Sequence, residues 1–462
     1  MSTLAALARA EAAAAGRAVP VATVRHLHVH ERPLVLIPLA MAGEANAPLA
    51  AMVGCHPADP ALLVVAQPRN RDQRFAFAAA LGDLLCAYVE AHAAVAEPVA
   101  VDRGRDVRYR FAGAPQLWVP NPGGIEFLRL FGRYTRFRSE GHPAVPLLGR
   151  WLTFFASAAE VPGSALLVTA VQALSLHWAT GQSSAEDAHL GSQLAWIESG
   201  AAAPRAAECG PPAGPATDPS FDNDVLAPLI ESGAAGETAA VLREHLTPIW
   251  EQMWRTLDRL RGLPAGARVG SRWDADRDAF SAFVRHLADG GPPQPRRDGA
   301  VAAAARLHHL EAAAARYAVQ RAFDDPLVMA EHRLTGAAFA AEVVLAQPDR
   351  IDESGRRPVL RPRILVRADE PVRVEPGAAL TSPARPAQKA TVVGITPAGA
   401  GRTDVLLELS GGMGRRLVAE AASVPAVGER LVLTTLSETF RPIAVFPDPA
   451  ETPWTHGGPP AT

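Results

Sequence analysis

Lysine is almost absent from this chain: among 45 lysines and arginines, Lys389 is the one lysine. A phosphate-gripping P-loop requires G-x-x-x-x-G-K-[ST], and Lys389 sits in Pro386-Ala387-Gln388-Lys389-Ala390, with no glycine before it and no hydroxyl after it. The sequence therefore encodes no P-loop for nucleoside triphosphate hydrolysis. The same scarcity removes the strand lysine of a kinase and leaves Lys389 as the only residue able to form a Schiff base. Also missing are G-x-S-x-G and H-E-x-x-H, which gives serine-hydrolase and metalloprotease readings little support. The three cysteines, Cys55, Cys86 and Cys209, are far apart with no C-x-x-C; this excludes a zinc ribbon and fits a reducing, cytoplasmic setting. Long apolar runs are lacking too. The most apolar stretch, Leu147 to Trp178, is split by Glu160, Pro162 and Gly163 into pieces shorter than the roughly 20 residues of a bilayer crossing. Buried helices are expected there, and no membrane. Met1-Ser2-Thr3-Leu4-Ala5 has no basic lead, and Glu11 follows it, so no secretory signal is expected.

What is present is an ordinary globular balance, 48% hydrophobic and 20% charged over 462 residues, enough for about three domains. Arginine in place of lysine, with alanine runs such as Ala12 to Ala15 and Ala302 to Ala305, reads as the imprint of a GC-rich genome and not as selection for phosphate contacts. With a net charge of -3, a polyanion would have to find a local basic patch.

Periodicity divides the chain. Residues 20 to 120 hold β-like runs at Val21 to His30, Leu34 to Leu39, Leu62 to Ala66, Val107 to Phe111 and Gln116 to Val119, with one helix over Asp72 to His92. No G-x-G-x-x-G follows any of them, so a dinucleotide site is unsupported. From Gly124 the period becomes helical. Leu242, Leu246, Ile249, Met253, Leu257 and Leu260 fall on one face and predict a buried stripe, and further helices are predicted at Ala165 to Ala179, Asp274 to Ala288, Ala300 to Phe323 and Pro326 to Leu345. Gly200 to Pro219 reads as a loop. Past Arg357 the period is two: Ile364 to Arg367, Lys389 to Thr396, Thr403 to Leu409 and Arg430 to Thr435, with a hairpin at Pro397-Ala398-Gly399-Ala400-Gly401. Strands this short predict a small barrel. The expected fold is a multidomain α+β chain: a small α+β unit over 1–120, a mainly helical domain over 121–350, a small C-terminal β-barrel over 358–446 and an extended tail over 447–462.

Three segments offer chemistry. His26, His28 and His30 alternate, so on a strand their imidazoles share a face, the arrangement of a metal-binding strand; the plainer reading is the polar outer face of an antiparallel strand. Trp118 to Gly124 leads into a helix on which Arg129, Arg133 and Arg136 form a stripe beside Phe127, Tyr134 and Phe137. That stripe suits phosphate contact with base stacking, and Gly123 and Gly124 could let backbone N–H groups approach an anion; the plainer reading is a solvated arginine face. Asp274, Asp276 and Asp278 resemble the start of a calcium loop, but Ala279 and Arg285 stand where glycine and glutamate are required, so they read as an acidic first helical turn.

The C-terminal block runs Val374-Glu375-Pro376-Gly377-Ala378-Ala379-Leu380-Thr381-Ser382, Ala390-Thr391-Val392-Val393-Gly394-Ile395, Val405-Leu406-Leu407-Glu408-Leu409 and Val427-Gly428-Glu429-Arg430-Leu431-Val432-Leu433. It resembles the accessory β-barrel that superfamily 1 DNA and RNA helicases of the nonsense-decay and immunoglobulin-switch-binding type place ahead of their first motor domain. No motor follows the block in this sequence. The resemblance implies an accessory subunit beside a separately encoded helicase or ATPase, touching single-stranded nucleic acid, with Lys389, Arg363, Arg385, Arg402, Arg415 and Arg416 as phosphate contacts. The expectation is thus a non-enzymatic, nucleic-acid-associated accessory or interaction protein with no cofactor and no assigned catalytic residue. Two alternatives stay open: a metal-dependent hydrolase holding a divalent ion at His26, His28 and His30, and a structural assembly protein presenting Trp250, Trp254 and its alanine-rich helices to a partner.

Overall fold

A computed structural model describes residues 3–44, 47–101, 105–200, 214–414, 416–438 and 444–448. The chain divides into two compact units, one built mainly from Ala5–Ala314 and one from Ala315–Ile443. This differs from the expected boundary near residue 120. The α+β class with a C-terminal barrel is as expected.

The first unit is layered on a five-stranded sheet. After helix α1 (Thr3–Ala15), strands β1 (Leu34–Ala40), β2 (Pro48–Gly54) and β3 (Ala61–Val64) form an antiparallel meander. Helix α2 (Arg71–His92) and the hairpin of β4 (Ala96–Val101) and β5 (Asp106–Phe111) follow, and then β6 (Leu117–Val119) pairs parallel with β1 in the register Leu34↔Leu117 and Val35↔Trp118. Helices α3 (Pro122–Thr135) and α4 (Ala144–Ala158) carry the chain across to β7 (Leu167–Thr169), parallel to β6. The order is β3-β2-β1-β6-β7. Every residue of β1 is buried because the sheet is covered on both faces. Alternation sends Leu34 and Leu36 into one core with Phe77, Leu81, Phe131, Leu148, Phe155 and Phe280, and sends Val35 and Ile37 into a second core.

The second core confirms the leucine stripe. After α5 (Ala170–Ser175) and α6 (Leu190–Glu198), helix α7 (Ala235–Arg261) buries Leu242, Leu246, Ile249, Met253, Leu257 and Leu260 against the sheet. Trp250 and Trp254 are 3% and 8% exposed in that same core, and Trp250 Nε1 donates to the Pro57 carbonyl at 2.8 Å, so neither is presented to a partner as the assembly reading required.

Several expected elements come out differently. Ala165 to Ala179 is not one helix: Leu167–Thr169 is the fifth strand, because a short apolar run buried on both faces has no period to distinguish it from helix. Val21 to His30 is no sheet strand; Arg25 alone makes a bridge, to Ala265. Helix α8 (Val269–Ala288) starts before Asp274, so the aspartates do not form its first turn. Beyond α9 (Ala300–Asp324), helix α10 (Pro326–Thr335) stops at Gly336, whose φ of 85° caps it, and the rest of the expected helix is strand.

The second unit is a closed six-stranded barrel of β8 (Ala338–Gln347), β9 (Arg363–Ala368), β10 (Ala379–Ser382), β11 (Arg385–Gly399), β12 (Arg402–Ser410) and β13 (Arg430–Thr434), in the order β8-β9-β12-β11-β10-β13. The expected hairpin joins β11 to β12, with Gly399, Ala400 and Gly401 all at positive φ. Ile364, Val366, Val405 and Leu407 point inward, so alternation puts Arg363 opposite Glu408 and Arg367 opposite Asp404 on the outside.

Candidate nucleic-acid interface

The basic and aromatic side chains that meet on the first unit come from three places. Helix α2 begins at Asn70, whose side chain accepts from the backbone N–H groups of Asp72 and Gln73; its buried stripe of Phe77, Leu81, Leu85 and Val89 leaves Arg71 exposed and Phe75 half-buried. Helix α3 ends at Thr135, leaving Tyr134 49% and Phe137 40% exposed. The loop after α8 brings Arg296.

These groups interlock by stacking. Phe75 and Tyr134 lie near-parallel, 6.0 Å between centroids and 14° between planes. The guanidinium carbons of Arg138 and Arg71 stand 4.2 and 5.8 Å from the Phe75 ring. Phe137 is flanked by Arg136 at 4.9 Å and Arg296 at 5.0 Å. A guanidinium held on a ring face keeps its edge N–H groups pointing outward, so it can take a phosphate oxygen while the neighbouring ring takes a base.

The predicted arginine stripe does not survive as drawn. Arg129 is bound to Glu126 at 2.6 Å and Glu160 at 2.9 Å, and Arg306 shares Glu160. Arg136 is 3% exposed: its guanidinium donates to the carbonyls of Gln294 and Pro295 and reaches Thr153 Oγ1 at 3.3 Å. Burial, then Arg133 and Arg296, lowers its pKa. The cause is the α3–α4 crossing. A Cβ on Gly149 would fall 2.2 Å from the Arg136 nitrogen and one on Gly132 2.9 Å from Thr153 Oγ1, so the two glycines let α4 cover the arginine's base. Arg133 remains exposed with no ion pair among the described residues. Gly123 and Gly124 do not open the helix start to an anion either; Cβ atoms there would meet Pro215 at 2.6 Å and Val119 at 2.9 Å. Spacing could not supply Phe75, Arg71 or Arg296, which arrive from distant segments.

On the barrel, Arg363 and Arg350 both bind Glu408, and Arg385 binds Glu429. Arg367 and Asp404 pair through two bonds at 2.7 and 2.8 Å. Lys389, Arg402 and Arg416 are exposed, with no ion pair among the described residues; Arg415 lies outside the described residues.

The histidines split: His26 turns away to His177, while the His28 and His30 rings meet edge-on with centroids 6.2 Å apart. His26 is fully buried and stacks on His177, His28 stacks on Trp273 at 4.0 Å, and His30 meets His92 edge-on at 4.9 Å. They do not form a polar outer face. Buried Gln116 fixes the segment by accepting from His30 N–H and donating to the carbonyls of His28 and Ala165. Burial first, then neighbouring His30 and arginines, pushes His28 and His92 down to about 4, so both imidazoles are neutral near pH 7. Among the described residues no three His, Cys, Asp or Glu side chains come close enough to share a metal ion.

Asp276, instead of lining a helix start, is buried and accepts from Ser164 Oγ and Ala165 N–H, both at 2.7 Å. Burial pushes its carboxyl up to about 7. Cys55 and Cys86 are free thiols, half-buried, and Cys209 lies outside the described residues. No family model, curated protein or solved structure matches this chain.

Proposed function

We propose that this protein is a non-enzymatic accessory protein that holds single-stranded nucleic acid on the face formed by Arg71, Phe75, Arg133, Tyr134, Phe137, Arg138 and Arg296, and works beside a separately encoded helicase or ATPase. The observation that carries the binding part is the alternation of exposed rings and ring-seated guanidiniums around Phe75, Tyr134 and Phe137. Rings stack on bases of any sequence, and the arginines answer the backbone, so binding is sequence-tolerant. The near-neutral net charge concentrates attraction in this patch, without a molecule-wide field. The motor partner rests on the barrel's resemblance to helicase accessory barrels.

The test is fluorescence anisotropy of the full chain with a single-stranded oligonucleotide across a salt series. Four phosphate contacts, from Arg71, Arg133, Arg138 and Arg296, give a slope of log affinity against log salt of about −3. Absence of binding at low salt, with the protein alone and with partners copurified from its native host, sinks the reading.

A further inference from the structure

At the opposite end of α3 from the ring-and-arginine face, a cavity of about 300 Å³ opens where β6 and β7 end. Pro122 lies three residues past the end of β6, and Val171 and Gln172 lie two and three past the end of β7, so the cavity lies off the carboxyl ends of two adjacent parallel strands. That is where open α/β sheets receive ligands, and the volume is at the lower end for small-molecule sites.

Its walls divide by chemistry. Trp178, Val171, Pro122 and Val21 supply apolar surface. The polar edge is the pair of Arg9 and Asp187, 3.2 Å apart and 25% and 13% exposed. Asp187 Oδ1 accepts from Thr180 Oγ1 at 2.6 Å and Gln182 Nε2 at 2.9 Å, which fixes the carboxylate, while among the described residues Oδ2 accepts only from Arg9. Arg9 donates to the Gln182 carbonyl at 2.5 Å and reaches Ser184 Oγ only at 3.4 Å. An acceptor oxygen and guanidinium N–H groups with capacity to spare therefore sit side by side on one edge of an apolar slot.

The two charges cancel, and among the described residues Arg9 is the only cation lining the cavity. A ligand ion of either sign meets one attraction and one repulsion there, whereas a neutral group with a donor beside an acceptor satisfies both. We infer that this cavity binds a neutral planar heterocycle of nucleobase type as the free nucleoside, stacked on Trp178, with its donor to Asp187 and its acceptor to Arg9. Pro122 and Tyr134 stand at opposite ends of α3, roughly 18 Å apart along the helix axis, so the cavity and the ring-and-arginine face are separate sites.

The experiment is calorimetric titration of the full chain with adenosine, cytidine, guanosine and uridine. Adenosine, with an exocyclic N–H donor beside a ring acceptor, binds with a dissociation constant on the order of 1 mM or tighter. Trp178→Ala weakens it roughly tenfold or more through lost stacking. Asp187 also braces its loop, so its part is tested on the unaltered protein: adenosine binds, and N6,N6-dimethyladenosine, which lacks the donor, binds at least roughly tenfold more weakly. Adenosine monophosphate binds no better than adenosine, because repulsion by Asp187 offsets the attraction of Arg9 for the phosphate. No binding of adenosine at millimolar concentration, or binding indifferent to Trp178→Ala, overturns the inference. So does a Trp178→Ala variant that loses single-stranded oligonucleotide binding in parallel, since the cavity would then be part of the strand's path. Failure of oligonucleotide binding alone leaves the nucleoside result standing.

Discussion

Two arginine-rich surfaces of this protein differ in what holds the guanidiniums. On the barrel, strand alternation sets arginine opposite carboxylate, and Arg363, Arg367 and Arg385 each meet an acid directly. Around Phe75 and Phe137, Arg71, Arg138 and Arg296 lie on rings. A bidentate carboxylate satisfies the fork a phosphate would use, whereas a ring face leaves it open. Arginine content therefore says little about anion binding until each partner is known. The sharpest break of this contrast removes the rings: the double variant Tyr134→Ala, Phe137→Ala should lose at least roughly thirtyfold in single-stranded oligonucleotide affinity, since each stacked base contributes about 1–3 kcal/mol. Thermal melting of the same variant should change little because both rings are 40% or more exposed. Unaltered affinity in a folded variant would remove the rings from the interface.

Arg136 borders the face, yet its guanidinium is committed inward. Arg136→Met keeps the stem and removes the donors, leaving the Gln294 and Pro295 carbonyls without their partner. The expected loss is about 3 kcal/mol of unfolding free energy by urea titration, with oligonucleotide affinity nearly unchanged under conditions where the variant is folded. A large affinity loss at unaltered stability would return Arg136 to the binding surface.

Sequence periodicity revealed what local pattern controls. The α7 stripe, the barrel and its hairpin at Gly399 to Gly401 were legible because burial on one side imposes a repeat of 3.6 or two. The strands Pro48–Gly54 and Leu167–Thr169 were not, because a strand covered on both faces has no polar alternation, and with them went the boundary at residue 120. At the interface, Arg133, Tyr134 and Phe137 were visible in one segment, while Phe75 and Arg296 reach it only through the packing of α2 and the loop after α8. Arg129 and Arg136 shared the stripe in sequence, but Glu160 and the glycine crossing at Gly132 and Gly149 draw them inward. The histidine alternation was real in sequence, but the segment is not held in a sheet: His28 and His30 meet, His26 turns to His177, and among the described residues no third ligand-type side chain joins them closely enough to share a metal ion.

The barrel side of the contrast gives a smaller effect. Arg363→Ala should leave oligonucleotide affinity within about twofold, because Glu408 already holds that guanidinium, and should lower stability by at most about 1 kcal/mol, as for a partly exposed ion pair. Anisotropy and urea titration on one preparation report both. An affinity loss matching that of the ring variant would erase the distinction between the two surfaces.

The last comparison concerns protons, where two buried neighbourhoods pull in opposite directions. His28 and His92 fall from 6.5 to about 4 on folding, so the unfolded chain binds more protons in that interval and acidification below about 6.5 lowers stability until about 4. Asp276 rises from 3.8 to about 7, so the folded chain keeps its proton longer and stability falls as pH climbs through that window. Between about 4 and 6.5 the two histidines outweigh the one carboxyl, and stability should rise with pH. Asp276→Asn keeps the hydrogen-bonding geometry, its amide oxygen accepting from Ala165 N–H and its amide nitrogen donating to Ser164 Oγ, while removing the opposing proton. The rise of urea midpoint with pH should then steepen over that interval, and the variant should gain on the parent as pH approaches 7. Superimposable pH profiles for parent and variant would show that burial does not shift Asp276, and the balance between the carboxyl and the histidines would have to be drawn from the imidazoles alone.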